Sequence, residues 1–136
     1  MIETKTKQIN GHAYQVTQFK ARKAIHMKVK IAKYFGGPIS ALIANGKSMM
    51  DKDISDPEVI GVIARFASSL EPDVFVDMAL ELLGSTFRDN KMITEDEFDS
   101  VYANNFSELY QALYFVLIVN YKDFFLQIPT MLDAGH

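Results

Sequence analysis

The sequence predicts a mainly α protein: an N-terminal β-hairpin followed by a bundle of about five to six helices. Three observations carry this expectation. Asn10-Gly11 separates two short segments of alternating character. From residue 20 to 128 apolar residues recur at helical spacing, interrupted by helix-start and helix-stop signals. The chain has 136 residues, 49% of them apolar, which suits one core and one domain. Residues 1–19 are read as the hairpin, 20–128 as the helical part and 129–136 as a flexible tail of that single domain.

Each element has its own signal. Residues 4–9 and 12–19 flank Asn10-Gly11, a pair that tolerates the positive φ of a two-residue turn. In the second strand Tyr14 and Val16 point one way, and Ala13, Gln15, Thr17 and Phe19 the other. A lone hairpin is marginal in water, so it must dock on the helices or pair with another edge. Residues 20–35 read as a helix ended by Gly36-Gly37-Pro38. At about 100° per residue its basic side holds Arg22, Lys23, His26, Lys30 and Lys33, and its apolar arc Ala24, Ile25, Val29, Ile31, Ala32 and Phe35. A short helix over 38–44 and a polar loop over 46–56 follow.

Ser55-Asp56-Pro57-Glu58 is a helix start, with a capping side chain, a first-turn proline and a dipole-favoured acid. The helix over 57–70 is expected to bury Val59 or Ile60, Val62 or Ile63, Phe66 and Leu70. Glu71-Pro72-Asp73 restarts the chain into a helix ending near Gly84, with Val74, Phe75, Met78, Leu82 and Leu83 inward. Residues 84–93 read as a loop. Thr94-Glu95-Asp96-Glu97 fits a capping box opening a short helix to Tyr102. Asn104-Asn105 breaks it, and a last helix over 106–128 is expected to stop at Pro129.

Composition removes several function classes. With no cysteine, a disulfide framework, a thiol nucleophile and a thiolate metal site are excluded. The opening residues lack the apolar stretch of a signal peptide. The most apolar run, residues 109–121, is shorter than the about 20 residues a membrane-spanning helix needs. The expectation is a soluble protein without a membrane partner.

No catalytic or metal site is expected, and no cofactor. His12, His26 and His136 fall on a strand, a basic helix face and a tail, without the spacing of a metal pair or a triad. Asp51-Lys52-Asp53 resembles the start of a calcium loop, but Asp56 and Val62 stand where a glycine and the final acid are required. The acids at 95–99 read as partners of a helix dipole. The expectation is therefore a protein that is not an enzyme.

The net charge of -3 conceals a polarity: residues 1–50 hold Lys5, Lys7, Lys20, Arg22, Lys23, Lys28, Lys30, Lys33 and Lys47 against only Glu3, and the remainder is acidic. A basic half can meet an anionic partner, or the halves can attract each other within the fold or between subunits. In the last helix Phe106, Leu109, Leu113, Val116, Leu117 and Phe124 make one face. Tyr110, Tyr114, Ile118, Tyr121 and Phe125 make another. A helix apolar on nearly every side must be surrounded, by its own chain or by another protein. The candidate protein-binding residues are Arg22, Lys23, Lys30, Lys33, Tyr110, Tyr114, Tyr121 and Phe125.

A resemblance adds to this reading. Ile9-Asn10-Gly11-His12-Ala13-Tyr14-Gln15-Val16-Thr17-Gln18-Phe19-Lys20-Ala21-Arg22-Lys23-Ala24, followed by Gly37-Pro38, resembles the opening of a family of bacteriophage tail assembly chaperones. So do Asn105-Phe106-Ser107-Glu108-Leu109-Tyr110, Phe115-Val116-Leu117 and Val119-Asn120-Tyr121-Lys122-Asp123-Phe124-Phe125. The similarity covers most of residues 8–126. It implies a chaperone that binds the tape measure protein, keeps it soluble, helps recruit tail tube protein and leaves before the tail is finished. It further implies action in the cytoplasm of the infected host, absence from the mature virion, and oligomers with itself or with a frameshifted longer form. Two other readings stand beside it: a nucleic-acid-binding regulator using the basic helix 20–35, and a minor structural tail component. The acidic total charge, and the lack of aromatic residues among the basic ones, speak against a nucleic-acid partner.

Overall fold

The computed structural model describes residues 2–34 and 53–134, with side-chain surroundings described through Tyr121. Strands β1 (Thr4–Ile9) and β2 (His12–Thr17) pair antiparallel, from Thr4 opposite Thr17 to Ile9 opposite His12. Asn10 and Gly11 take φ of 52° and 81°, the left-handed pair whose twist matches that of the strands it joins. Ile9, Tyr14 and Val16 are buried on the inner face.

Five α-helices stand among the described residues: α1 (Ala21–Tyr34), α2 (Pro57–Ser68), α3 (Pro72–Leu82), α4 (Glu95–Val101) and α5 (Phe106–Ala134). The short helix expected over 38–44 and most of the loop expected over 46–56 lie outside the described residues. A 3₁₀ turn at Leu83–Ser85 closes α3.

The expected fold class, a hairpin followed by a helical bundle, is corrected here. The segment 84–93, read as a loop, contains strands β3 (Thr86–Arg88) and β4 (Lys91–Met92), giving a four-stranded antiparallel sheet in the order β1-β2-β3-β4. The architecture is α+β. Two and three residues are too short to show a period of two, so the pattern was silent there. Asp89 and Asn90 form the turn, with φ of 51° and 67°, residue types that enter this region more readily than others. β3 then covers the second edge of β2, placing Tyr14 opposite Arg88 and Val16 opposite Thr86. The Asp89 carboxylate fastens this junction, accepting from the Ala13 amide at 2.9 Å and meeting His12 Nδ1 at 2.7 Å.

Helix α5 is the central element. From Glu108 to Leu117 every residue but the half-buried Tyr110 is buried, packed by α2, α3 and the hairpin. Each large aliphatic side chain withdrawn from water there contributes about 2 kcal/mol of apolar transfer free energy. The helix does not stop at Ile128 as expected but continues to Ala134. A proline costs a helix one amide bond and crowds the carbonyl four residues back, which weakens the turn without forbidding it.

The rotation of α1 also departs from expectation. Met27 and Ile31 are buried, whereas Ile25 and Val29, grouped with Ile31 on the apolar arc, are exposed. Anchors at the helix entrance set this rotation. The Phe19 amide donates to Asn120 Oδ1 at 2.8 Å, Gln18 Nε2 donates to the Val119 carbonyl at 3.1 Å, and the Tyr121 hydroxyl donates to the Ala24 carbonyl at 2.9 Å. Phe19 itself is buried against Tyr121, their rings 6.4 Å apart edge to face. β2 ends at Thr17, so the alternation that put Phe19 opposite Tyr14 does not reach it.

Candidate functional site: an apolar groove

Four helix ends meet at one side of the molecule. α2 is capped by Asp56, whose side chain accepts from the Glu58 amide at 2.9 Å, and it buries Val59, Val62, Ile63 and Phe66. The break at Ser69–Glu71 lets Pro72 open α3, where a missing amide costs nothing. Thr94 caps α4 by accepting from the Glu97 amide at 3.3 Å, while its own amide donates to the Met92 carbonyl at 3.1 Å. Asn104, at φ 57°, turns the chain into α5. These breaks leave a groove of about 530 Å³ between the end of α2, the start of α3, α4 and the start of α5.

The groove is aromatic and aliphatic. Leu70, Phe75, Val76, Phe98, Phe106 and Tyr110 contribute most of its wall. Phe75 packs edge to face on Phe66 at 6.5 Å, and Phe98 on Tyr102 at 5.3 Å, so the walls are held by ring contacts from behind. At the mouth the support ends: Phe106 is 60% exposed and Val76 40%. Among the described residues Asp99 is the one charged residue that lines the groove, and Asp77 lines a separate pocket with Leu80, Glu81, Ile93 and Glu95.

Beneath the groove lies a buried polar cluster. Tyr102 and Tyr14 share a hydroxyl–hydroxyl bond of 2.9 Å, and Tyr14 donates to Glu108. Arg88 Nε donates to the same carboxylate oxygen at 2.7 Å, and Asn105 Nδ2 to the other at 3.2 Å. Burial works to raise the Glu108 pKa, but the bonds from Arg88, Tyr14 and Asn105 outweigh it and hold the carboxyl below its ordinary range. Burial pushes the Tyr102 hydroxyl up to about 12 and raises Tyr14 further. A committed anion and two neutral phenols are poised to hold β2, β3, α4 and α5 together rather than to move protons. Among the described residues no group of three or more acids and histidines is arranged to hold a metal ion.

The eight candidate binding residues do not form one surface. Arg22 and Lys33 are exposed on α1, with the Lys33 ammonium 5.4 Å from the Tyr34 ring. Lys30 pairs with Glu81 at 2.7 Å. Lys23 is half-buried, its ammonium 4.5 Å from the Phe19 ring centroid, and burial lowers its pKa. Tyr110 lines the groove. Tyr114 and Tyr121 are buried within the chain, and burial pushes the Tyr121 hydroxyl up to about 12. The surroundings of Phe125 lie outside the described residues. Sequence reasoning passed over Val76 and grouped Phe106 on one helix face with Leu109 and Leu113, which are buried. The available signal was the breaks at 71–72 and 104–105, which start α3 and α5 beside each other and leave their first turns beyond the core.

No helix among the described residues is long and apolar enough to cross a membrane. No curated protein and no solved structure matches the chain. One family model does, over residues 10–133, and its description is "Phage tail assembly chaperone protein, TAC". That match spans β2, the groove and nearly all of α5, and on it the chain belongs to the phage tail assembly chaperone family.

Proposed function

We propose that the groove receives apolar helical segments of the tape measure protein and keeps that protein soluble while tail tube subunits are recruited around it. The observation that carries this reading is the groove itself: aromatic walls, a mouth at Phe106 and Val76 left open to solvent, and no chemistry poised within it. An amphipathic helix laid in such a groove buries its apolar face without requiring covalent chemistry, so the role is one of binding. A small groove gives individually weak contacts, which suits release when the tail is completed. On this reading the protein acts in the cytoplasm of the infected cell and is missing from finished particles. Two cations of α1, Lys23 and Lys30, are engaged within the chain, which favours a protein client over a nucleic acid.

The test is co-expression of the tape measure protein with the wild type and with Val76→Asp/Phe106→Asp. The wild type is expected to hold the tape measure protein in the soluble fraction, and the double variant, folded by circular dichroism, to lose most of it. Equal solubility with both overturns the groove assignment. Mass spectrometry of purified virions is expected to find none of this chain; stoichiometric amounts would make it a structural component instead.

A further inference from the structure

The polar groups that line the groove differ in what they are bonded to. The Ser68 hydroxyl donates to the Ala64 carbonyl at 2.9 Å, within α2. The Tyr102 hydroxyl bonds that of Tyr14 at 2.9 Å, beneath the groove. Two polar side chains of the lining remain among the described residues, Tyr110 of α5 and Asp99 of α4. Asp99 is exposed, and among the described residues its carboxylate has neither an ion pair nor a hydrogen bond, so solvent supports its charge. A segment laid over Phe98, Phe106 and Tyr110 takes water from the carboxylate that lines the groove with them. Under an apolar or neutral side chain the carboxylate loses hydration without replacement, which opposes binding. A second anion there is worse. A cation restores what water supplied, in a setting where charges attract more strongly than in bulk. The neighbouring rings favour the same occupant: an aromatic face attracts a cation, and a guanidinium stacks on a ring while offering its N–H fork to a carboxylate. Elsewhere the chain already sets a cation on a ring, with the Lys23 ammonium 4.5 Å from the Phe19 centroid.

We propose that Asp99 determines the specificity of the groove, selecting client helices whose apolar stripe is flanked by arginine or lysine and rejecting those flanked by acids. This selection rests on the groove being the client site, and adds to that reading what the client must carry. The apolar walls hold an oily helix of any flanking charge, and the carboxylate chooses among such helices. Discrimination of this kind comes as much from the penalty on the wrong segment as from attraction to the right one.

Fluorescence anisotropy of the full chain with three labelled amphipathic peptides tests this. The peptides share one leucine stripe at helical spacing and differ only at two positions flanking it, which hold arginine, glutamine or glutamate. The wild type is expected to bind the arginine peptide about fivefold more tightly than the glutamine peptide, the factor of one partly exposed ion pair, and the glutamate peptide most weakly. In Asp99→Asn, folded by circular dichroism, the preference for arginine is expected to shrink below about twofold, the remainder being attraction to a net negative chain. Equal affinities for the arginine and glutamine peptides in the wild type, or an undiminished preference in Asp99→Asn, overturn the proposal. Whether the groove is the client site is judged separately, by the glutamine peptide on Val76→Asp/Phe106→Asp. If that variant loses the peptide while Asp99→Asn keeps the full preference, the site stands and selection by Asp99 is wrong. If the wild type binds no peptide, or the double variant binds the glutamine peptide as the wild type does, the groove is not the client site and the selection falls with it.

Discussion

The Tyr14 hydroxyl, from the middle of β2, donates to the Glu108 carboxylate in the first turns of α5, joining the sheet to the central helix inside the core. Glu108 is 1% exposed, so its charge is supported entirely by Arg88, Tyr14 and Asn105. Removing one member of a buried pair leaves the other without compensation, and that loss exceeds what the intact pair contributes. Glu108→Ala is therefore expected to destabilise the fold by about 3 kcal/mol, and Glu108→Gln, which keeps the shape and some bonds, by about 2 kcal/mol. Urea unfolding followed by circular dichroism measures both. A change within experimental error in Glu108→Ala would remove the cluster from any role in holding sheet to helix.

The same carboxyl makes stability depend on pH in a stated direction. Its folded pKa is held below the ordinary value, so the unfolded chain binds the proton more readily. The contribution is fully present above the unfolded carboxylate pKa of about 4.3, and is lost as pH falls through the lower folded value. Thermal unfolding between neutrality and strongly acid pH is expected to show this loss in the wild type. Glu108→Gln should show a shallower acid limb, and an identical limb in the two proteins would contradict the assignment.

Two glycines give effects of opposite sign. Gly11 sits at φ 81° in the hairpin turn, and a methyl group there would meet no neighbour, so the cost of Gly11→Ala is backbone strain alone, about 1 kcal/mol. Gly61 lies inside α2 with equally open space, and there Gly61→Ala should stabilise by about 0.5–1 kcal/mol by restricting the unfolded chain. Melting temperatures of the two variants, one down and one up, check the pair. Two shifts of the same sign would show that either the turn or the helix is wrongly described.

Local signals and distant ones divide what could be read beforehand. The hairpin, the starts of α2, α3 and α4 and the buried positions Phe66, Met78 and Leu82 follow from short-range chemistry, which acts between residues a few positions apart. β3 and β4 depend on an edge supplied by β2, and the rotation of α1 on bonds from Asn120 and Tyr121 near the other end of the chain. No periodicity within 86–92 or 21–34 encodes those partners. The same separation explains the site. Phe106 looks like a core residue by its spacing, and only the placement of four helix ends leaves it at the mouth of a groove.

Tyr121 and Tyr110, grouped together by helical spacing, are expected to separate in experiment. The Tyr121 hydroxyl is buried and bonded to the Ala24 carbonyl, so Tyr121→Phe removes one hydrogen bond and leaves an acceptor short of a partner, at about 1 kcal/mol. It touches nothing at the groove, and tape measure solubility in co-expression should be unchanged. Tyr110 lines the groove at partial burial, its ring 6.4 Å from that of Phe106. Tyr110→Ser should therefore lower client solubility while shifting the melting temperature less than a fully buried aromatic would. Measuring both quantities for both variants distinguishes a structural tyrosine from a binding one. A Tyr121→Phe protein that is as stable as the wild type but fails to hold the client would reverse the two roles.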